Sequence, residues 1–390
     1  MSAPADAGEF VGARRLRQLP VGGLGRFTES VRADTIDLAL GTPSWPRPPQ
    51  AMIDEVTTAL RDGHSQYADV RGNPRLRAAL AASFATPADP ETEVTVTLGA
   101  SEALCVAALT LLNPGDEVVV LEPAFENFLS AIALASATPR FVRLRPPHWR
   151  WEEGALQAAI GPRTRAIIVN SPNNPTGRVL DANEWREIAE LAERYDLHVI
   201  SDEVYTAYVY DGRRHLSVVD VPGLHERGIV VGSLSKTYAV SGWRLGFLRA
   251  APALTRALRQ VHLGLTSGVV APLQEAVARS GVIGSDAWDP RPQLQELRDR
   301  AVDIFRGLGL RCHVPEGGCY VVAELDGPYQ GQDCADFVYR LAAETGVLVA
   351  PGRIFSSDRG ANSGFIRVAF NKPPQLLDQA AQRLAPGVSR

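Results

Sequence analysis

The sequence predicts an α/β protein with a mostly parallel β-sheet in a large domain and a smaller α+β domain after it. Three observations lead to this prediction. At 390 residues, the chain is longer than one ordinary hydrophobic core requires, which favours two domains. From residue 47 onward, short apolar runs alternate with amphipathic segments, as in crossover units that cover both faces of a parallel sheet. After Pro290 the order changes to one long charged helix followed by short strands.

The elements of the large domain follow from apolar runs and from the helical patterns between them. Strands are predicted at Glu117–Leu121, Arg165–Asn170, Leu197–Ser201, Gly228–Gly232 and Leu245–Leu248. Helices are predicted at Glu102–Leu112, Glu184–Tyr195 and Ala253–His262. We expect residues 1–40 to form an arm that joins the small domain, and residues 41–288 to form the large domain.

The small domain is expected over residues 289–390. A long charged helix at Pro292–Leu308 would form the bridge to it. Short strands are predicted at Cys319–Ala323, Val347–Val349 and Phe365–Phe370, and one further helix is predicted near Asp333–Glu344.

Composition narrows the function classes. Hydrophobic residues make up 45% and charged residues 22% of the chain, as in an ordinary globular enzyme, and the net charge of -4 argues against nucleic acid as a partner. No apolar run approaches the ~20 residues that span a bilayer, and the N-terminus lacks the pattern of a secretory signal. The four cysteines show neither a CxxC pair nor zinc-type spacing, so we expect buried thiols in the cytoplasm and no metal site.

The sequence contains only two lysines, Lys236 and Lys372, which limits lysine chemistry to two candidates. Lys236 follows a predicted strand in the segment SLSKTY (233–238). A lysine at the end of a buried strand loses solvation, which lowers its pKa and frees its amine to condense with an aldehyde. A solvated surface lysine is the ordinary alternative. Ser233 and Lys236 also match the Ser-x-x-Lys pattern of penicillin-binding enzymes, but the accompanying Ser-Asp-Asn and Lys-Thr-Gly motifs are missing.

A carboxylate stands at the end of a neighbouring strand. Asp202 follows the apolar run Leu197–Ser201, where a carboxylate is costly unless it meets a cation such as a protonated pyridine nitrogen. Tyr205 is expected to point the same way from the first turn of a helix. The alternative is that Asp202 only caps that helix.

Other segments suit a phosphate and a flat ring. Ala100 and Ser101 lie at a turn from strand to helix, where free N–H groups favour an anion. Arg244 offers a bidentate phosphate contact. Phe125 could stack on a ring, although core packing is its ordinary role. Asn174 projects an amide from a loop held by two prolines and a glycine.

In their order and strand-end positions, these segments resemble the fold-type I, class I and II aminotransferases over nearly the whole chain. The matching segments are GASEAL (99–104), SPNNPTG (171–177), SDEVY (201–205), SLSKTYAVSGWRLG (233–246) and FIRVAF (365–370). The resemblance implies a seven-stranded sheet in the large domain and pyridoxal phosphate (PLP) as the cofactor, held by Lys236 as a Schiff base. EPAFENF (122–128) and residues 202–218 and 317–354 are most similar to the kynurenine aminotransferase, glutamine transaminase and cysteine-S-conjugate β-lyase branch.

The resemblance also implies how the cofactor is held. Lys236 would move the proton between the substrate α-carbon and the cofactor, and Asp202 would pair with the ring nitrogen. Asn174 and Tyr205 would hydrogen-bond the ring hydroxyl, and Phe125 would lie against the ring. The phosphate ligands would be Ala100, Ser101, Ser233, Ser235 and Arg244.

On the substrate side, the resemblance assigns Gly41, Asn174 and Arg367. The Arg367 guanidinium would grip the substrate α-carboxylate through a bidentate contact. Tyr67 would reach the phosphate in the neighbouring subunit, which implies a homodimer with shared active sites.

Two reactions remain open from the sequence. The favoured one is amino transfer between an L-amino acid and a 2-oxo acid, and the alternative is β-elimination, as in a C–S lyase acting on a cysteine S-conjugate. The chain departs from the named branch at Trp45, Ser267 and Gly268, and the last two predict a roomier pocket. The substrate is therefore left open.

Overall fold

The computed structural model describes residues 12–20, 34–358 and 364–385, so the arm expected over residues 1–40 lies partly outside the described residues. The strands are β1 (Ile36–Asp37), β2 (Val94–Thr97), β3 (Glu117–Glu122), β4 (Thr138–Arg143), β5 (Thr164–Asn170), β6 (His198–Asp202), β7 (Gly228–Ser233), β8 (Gly246–Ala250), β9 (Arg311–His313), β10 (Tyr320–Glu324), β11 (Val347–Leu348), β12 (Ala350–Pro351) and β13 (Phe365–Ala369). The α-helices span Gln50–Arg61, Pro74–Ser83, Gly99–Leu111, Glu126–Leu134, Ala155–Ala158, Ala182–Arg194, Leu234–Thr237, Pro252–Thr266, Ala271–Ser280, Arg291–Gly307, Cys334–Thr345 and Pro374–Leu384.

Seven strands form the large sheet, in the order β2-β8-β7-β6-β5-β3-β4. The strands from β7 to β4 pair in parallel, whereas β8 runs antiparallel to both of its neighbours. Both faces are covered, because Val118 and Val120 of β3 pack into one hydrophobic cluster and Val119 and Leu121 into another. The expected mostly parallel, seven-stranded sheet is confirmed.

The second sheet is smaller and antiparallel, in the order β12-β13-β10-β9. It lies in the part of the chain that also contains the helices Arg291–Gly307, Cys334–Thr345 and Pro374–Leu384, which gives the expected α+β unit. Strand β1 pairs in parallel with β11, so residues 36–37 join this C-terminal unit. The boundaries at residues 40 and 288 stay predictions.

The segment after β6 corrects one expectation. Tyr205 was expected in the first turn of a helix, but residues 204–207 form turns rather than a helix. The Val204 N–H donates to the Asp202 carboxylate, and the Tyr208 N–H donates to the Tyr205 carbonyl at 2.8 Å. The chain then crosses to the C-terminal unit, where the Tyr210 N–H donates to the Glu316 carbonyl at 3.0 Å.

None of the helices in the described ranges is long and apolar enough to cross a bilayer.

Candidate active site

A cavity of about 380 Å³ opens at the carboxyl edge of the large sheet. Parallel pairing brings the polar ends of three strands to this edge: Asn170 of β5, Asp202 of β6 and Ser233 of β7. Every predicted site residue except Tyr67 lines the cavity: Gly41, Ala100, Ser101, Phe125, Asn174, Asp202, Tyr205, Ser233, Ser235, Lys236, Arg244 and Arg367. Side chains from distant parts of the sequence therefore meet around one space, as ligands do at the strand ends of open α/β sheets.

Lys236 lies on the short helix Leu234–Thr237, directly after β7. Its Nζ donates to the Gly41 carbonyl at 2.8 Å, and desolvation lowers the pKa of this amine. Two aromatic side chains hold the helix from outside. The Tyr208 hydroxyl donates to the Lys236 carbonyl, and the Trp288 indole donates to the Thr237 carbonyl at 2.7 Å. The amine is thus held by a hydrogen bond, and its lowered pKa favours the neutral form that a reactive lysine requires.

Asp202 is 4% exposed, and its carboxylate accepts the Val204 N–H at 3.2 Å. Burial raises the pKa of Asp202 to about 7. No salt bridge to Asp202 is present among the described residues. A buried carboxylate without an opposite charge provides a place for a cation in the cavity.

Arg367 on β13 is 2% exposed and faces the cavity with its positive charge not paired to a carboxylate in the described part of the chain. Its Nη1 donates to Asn174 Oδ1 at 2.8 Å, and its Nη2 donates to the Ala39 carbonyl at 2.6 Å. The guanidinium carbon lies 4.0 Å from the ring centroid of Tyr320 and 4.6 Å from that of Phe355. Its Nε is buried and has no hydrogen-bond partner among the described residues. Such a guanidinium suits a carboxylate ligand.

The start of the helix Gly99–Leu111 forms the opposite corner of the cavity. Gly99 has a φ of +75°, and a Cβ at this position would lie 2.3 Å from Nη2 of Arg244. Glycine therefore allows the arginine to approach the free N–H groups of the first turn, near Ala100 and Ser101. The corner is completed by two side chains at the end of β7 and the start of the next helix, Ser233 and Ser235. Guanidinium, hydroxyls and a helix N-terminus together suit a phosphate.

Tyr67 lies outside this cavity, and its side chain is 92% exposed. Trp45, Ser267 and Gly268, the positions where the chain departs from the resembled branch, are also absent from the cavity lining. Gly268 lies beside the loop that carries Tyr67, because a Cβ on it would come within 3.1 Å of the Ala68 carbonyl oxygen. Tyr67 and Gly268 thus belong to the same surface.

Nine residues that line the cavity were not predicted, and two of them, Asn170 and Tyr320, contact residues of the predicted site. Asn170 ends β5, donates to the Pro172 and Asp202 carbonyls at 3.0 Å, and accepts the Asn174 N–H at 2.7 Å. A polar residue that ends an apolar strand was an available signal, the same one that pointed to Asp202. Tyr320 lies at the start of β10, inside a predicted strand, and no local pattern distinguished it from a core residue.

The second lysine is placed differently. Lys372 is 6% exposed, burial lowers its pKa, and it does not line the cavity. Of the two lysines, Lys236 alone faces the cavity.

Comparison with known proteins gives a consistent picture. A family model described as "Aminotransferase class I and II" matches residues 33–384. The solved structure of N-succinyldiaminopimelate aminotransferase from Mycobacterium tuberculosis is 34% identical, with a TM-score of 0.89, and covers 96% of this chain and 100% of that chain. The Escherichia coli structure identified with a methionine aminotransferase function is 30% identical, with a TM-score of 0.85, and covers 90% and 93%. Human kynurenine–oxoglutarate transaminase 3 is 31% identical over 411 residues, 96% of this chain and 90% of the relative, so the resembled branch is among the relatives.

Proposed function

The chain belongs to the class I and II aminotransferases, and on that basis we propose that it moves the amino group of an L-amino acid to a 2-oxo acid, with PLP bound at Lys236. Its relatives are named as aminotransferases, which favours amino transfer over β-elimination. The observation that carries the proposal is the meeting of the Lys236 amine, the Asp202 carboxylate and the Arg367 guanidinium in one cavity of about 380 Å³.

The residues present fit PLP at both ends of that molecule. The buried Asp202 carboxylate forms no salt bridge within the described part of the chain, and the pyridine nitrogen of PLP can supply a cation. At the opposite corner, Ser101, Ser235, Arg244 and the N-terminus of the helix Gly99–Leu111 would hold the phosphate, together with Ala100 and Ser233. When bound, PLP supplies an aldehyde that condenses with amines and a ring that accepts electrons.

Each of the remaining residues has a task in amino transfer. The Lys236 amine, with its lowered pKa, takes the proton from the substrate α-carbon and returns a proton on the cofactor side. Asp202 in its charged form would hold the ring nitrogen in its protonated state. Burial raises the pKa of Tyr205 well above its usual value, so its hydroxyl keeps its proton and would donate to the ring hydroxyl, as would the Asn174 amide. Phe125 lines the cavity and would pack against the ring.

The substrate would be anchored by its α-carboxylate. In the described part of the chain, the guanidinium of Arg367 donates only to the neutral oxygens of Asn174 and Ala39, and its Nε has no partner. Its positive charge is therefore available to an incoming carboxylate. Gly41 lies on the same side, where its carbonyl receives the Lys236 amine. The substrate amine would therefore arrive beside the lysine that it displaces.

We also propose a homodimer with shared active sites. Tyr67 is 92% exposed and has no role in the cavity of its own chain, which supports a contact with the phosphate in a second copy. Ser267 and Gly268 lie by the same surface and would border the second copy's cavity, so the roomier pocket would be formed across the dimer.

The domain division is proposed in the form expected from the sequence, with residues 41–288 as the PLP-binding domain and 289–390 as the small domain. The pairing of β1 with β11 supports an arm over residues 1–40 that joins the small domain. We place the protein in the cytoplasm, because all four cysteines are free thiols, as expected in a reducing compartment.

Reduction with borohydride tests the cofactor site directly. The PLP-loaded protein should absorb visible light, and reduction followed by peptide mapping should place the pyridoxyl group on Lys236. The second lysine is an internal control, since Lys372 lies outside the cavity. Label on Lys372, or no visible band after PLP is added, would contradict the proposal.

The reaction type is tested with a panel of amino acids and S-substituted cysteines. Amino transfer predicts that turnover stops after one half-cycle until a 2-oxo acid is supplied. Release of pyruvate that continues without any added oxo acid would instead support β-elimination.

A further inference from the structure

Tyr320 contacts the carboxylate-binding side of the site through its ring. It pairs with Ala369 in the antiparallel register of β10 and β13, so Arg367, two residues earlier on β13, lies on the same face of the sheet. The Tyr320 ring centroid is 4.0 Å from the Arg367 guanidinium carbon, and the Tyr320 side chain is buried. An aromatic face at this distance attracts the cation and restricts the plane of the guanidinium. The ring thus helps to fix the group that receives the substrate carboxylate.

The hydroxyl of Tyr320 contacts the opposite, cofactor-binding side. It lies 3.2 Å from the Tyr205 hydroxyl, and it occupies the space that a side chain at position 41 would need. A Cβ built on Gly41 would come within 1.8 Å of this hydroxyl. Gly41 in turn accepts the Lys236 amine through its carbonyl. One tyrosine therefore stands between the residues for the substrate carboxylate, the ring hydroxyl and the reactive lysine.

The proposed contact of Tyr205 with the cofactor sets the direction of the hydroxyl pair, since either oxygen could be the donor at 3.2 Å. Each hydroxyl has a single proton, and burial raises the pKa of both tyrosines, so both stay protonated. The hydrogen bond between them uses one proton. If Tyr320 donates it, Tyr205 keeps its own proton for an acceptor in the cavity. The proposed hydrogen bond from Tyr205 to the ring hydroxyl of PLP requires this direction.

We propose that Tyr320 is a positioning residue with two separable tasks: its ring orients Arg367 for the substrate carboxylate, and its hydroxyl orients Tyr205 toward the cofactor. This inference rests on the proposed function. Because the two tasks belong to different atoms of one side chain, substitutions can separate them.

Tyr320→Phe removes the hydroxyl and keeps the ring. We expect the pH midpoint of the visible band of the PLP-loaded protein to move, and PLP affinity to fall roughly 5- to 10-fold as Tyr205 loses its partner. The preference for L-alanine over ethylamine, which lacks the carboxylate, should stay as in the wild type. This preference is measured as the ratio of single-turnover rates with the two amines.

Tyr320→Leu removes both the ring and the hydroxyl. The ratio of rates for L-alanine and ethylamine should then fall roughly 3- to 30-fold below that of Tyr320→Phe, because the guanidinium is no longer held. Phe355 provides a second variant in case Tyr320→Leu fails to fold. Its ring lies 4.6 Å from the same guanidinium carbon, so Phe355→Leu should lower the ratio without moving the visible band.

Tyr195→Phe is the matched control, because Tyr195 lies on the surface and its hydroxyl accepts only a hydrogen bond from Gln157 among the described residues. It should leave both readouts unchanged. Unchanged spectra in Tyr320→Phe, or an equal loss of carboxylate preference in Tyr320→Phe and Phe355→Leu, would overturn the inference. A wild-type protein with no visible band, or with no preference for L-alanine, would overturn the proposed function instead.

Discussion

The unpaired carboxylate of Asp202 should make the cofactor-free protein less stable as the pH rises. Burial raises the pKa of Asp202 from a usual value near 3.8 to about 7. Between these two values the native protein binds one proton that the unfolded chain has released, so the free energy of unfolding falls with increasing pH. The difference of about three pKa units corresponds to about 4 kcal/mol, all of it lost once the pH exceeds about 7.

Asp202→Asn removes this penalty and keeps an oxygen for the Val204 N–H. Relative to the wild type, the cofactor-free variant should gain about 4 kcal/mol of unfolding free energy between pH 4 and pH 8. Urea denaturation followed by tryptophan fluorescence measures this, with protein concentration held constant because a dimer would otherwise shift the midpoint. Asp303→Asn, on the exposed face of the helix Arg291–Gly307, controls for the loss of an acidic group.

With PLP bound, the wild type rather than Asp202→Asn should be the more stable of the two proteins. A protonated ring nitrogen beside Asp202 would stabilise the charged carboxylate, so the pH dependence of the wild type should shrink when PLP is bound, while Asp202→Asn should bind PLP more weakly. A stability difference that stays flat from pH 5 to pH 8 in the cofactor-free proteins would refute the reasoning.

Three further substitutions test other parts of the site. Tyr67→Phe should weaken PLP retention by ~1–3 kcal/mol, measured by equilibrium dialysis, through loss of one phosphate hydrogen bond. Unchanged retention, or a fully active monomer in light scattering, would count against the shared site. Arg367→Ala should lower kcat/KM by roughly 30- to 1,000-fold for all amino acids alike, and a loss confined to some side chains would argue against carboxylate binding. Gly41→Ala should lower the melting temperature, because its Cβ would overlap the Tyr320 hydroxyl. Tyr320→Phe in the same protein should recover part of that loss, and purely additive effects would contradict the contact.

Central strands could be predicted from the sequence with their approximate bounds, whereas the edge strand β4 was not predicted and the edge strand β2 was expected only as the strand before the turn at Ala100. Strands β3, β5, β6 and β7 are buried on both faces and read as apolar runs. The two edge strands carry polar residues instead: β2 reads VTVT, and β4 reads TPRFVR with exposed residues along its length. Such short, half-polar segments match turns as well as strands, and only pairing with a neighbour decides between them.

Site residues could be predicted where a charged side chain follows a run of apolar residues. Asp202 and Lys236 are charged groups at the ends of apolar strands, and a single sequence shows this. Tyr320 is an aromatic residue in an apolar strand, which is ordinary, and its role arises from the register that sets it beside Arg367. Tyr205 was correctly predicted to face the cavity, but it lies in a turn and not in the predicted helix. After this turn the chain pairs with the C-terminal unit through the Tyr210 N–H and the Glu316 carbonyl, a contact that the local sequence does not show.

The placement of the two lysines has a consequence for alkaline solutions. All but two of the 40 lysine and arginine side chains are arginines, and neither lysine lies on the surface, because Lys236 lines the cavity and Lys372 is buried. Guanidinium groups keep their charge above pH 12, whereas ammonium groups lose theirs near pH 10. Above about pH 10, the surface ion pairs of this protein should therefore persist, whereas those of a lysine-rich protein are lost. At high pH the stability of the fold is instead limited by the buried tyrosines Tyr205, Tyr208 and Tyr210, whose pKa values burial raises. In the unfolded chain these tyrosines release their protons near pH 10, whereas in the folded protein they keep them. The free energy of unfolding therefore falls as the pH rises above about 10.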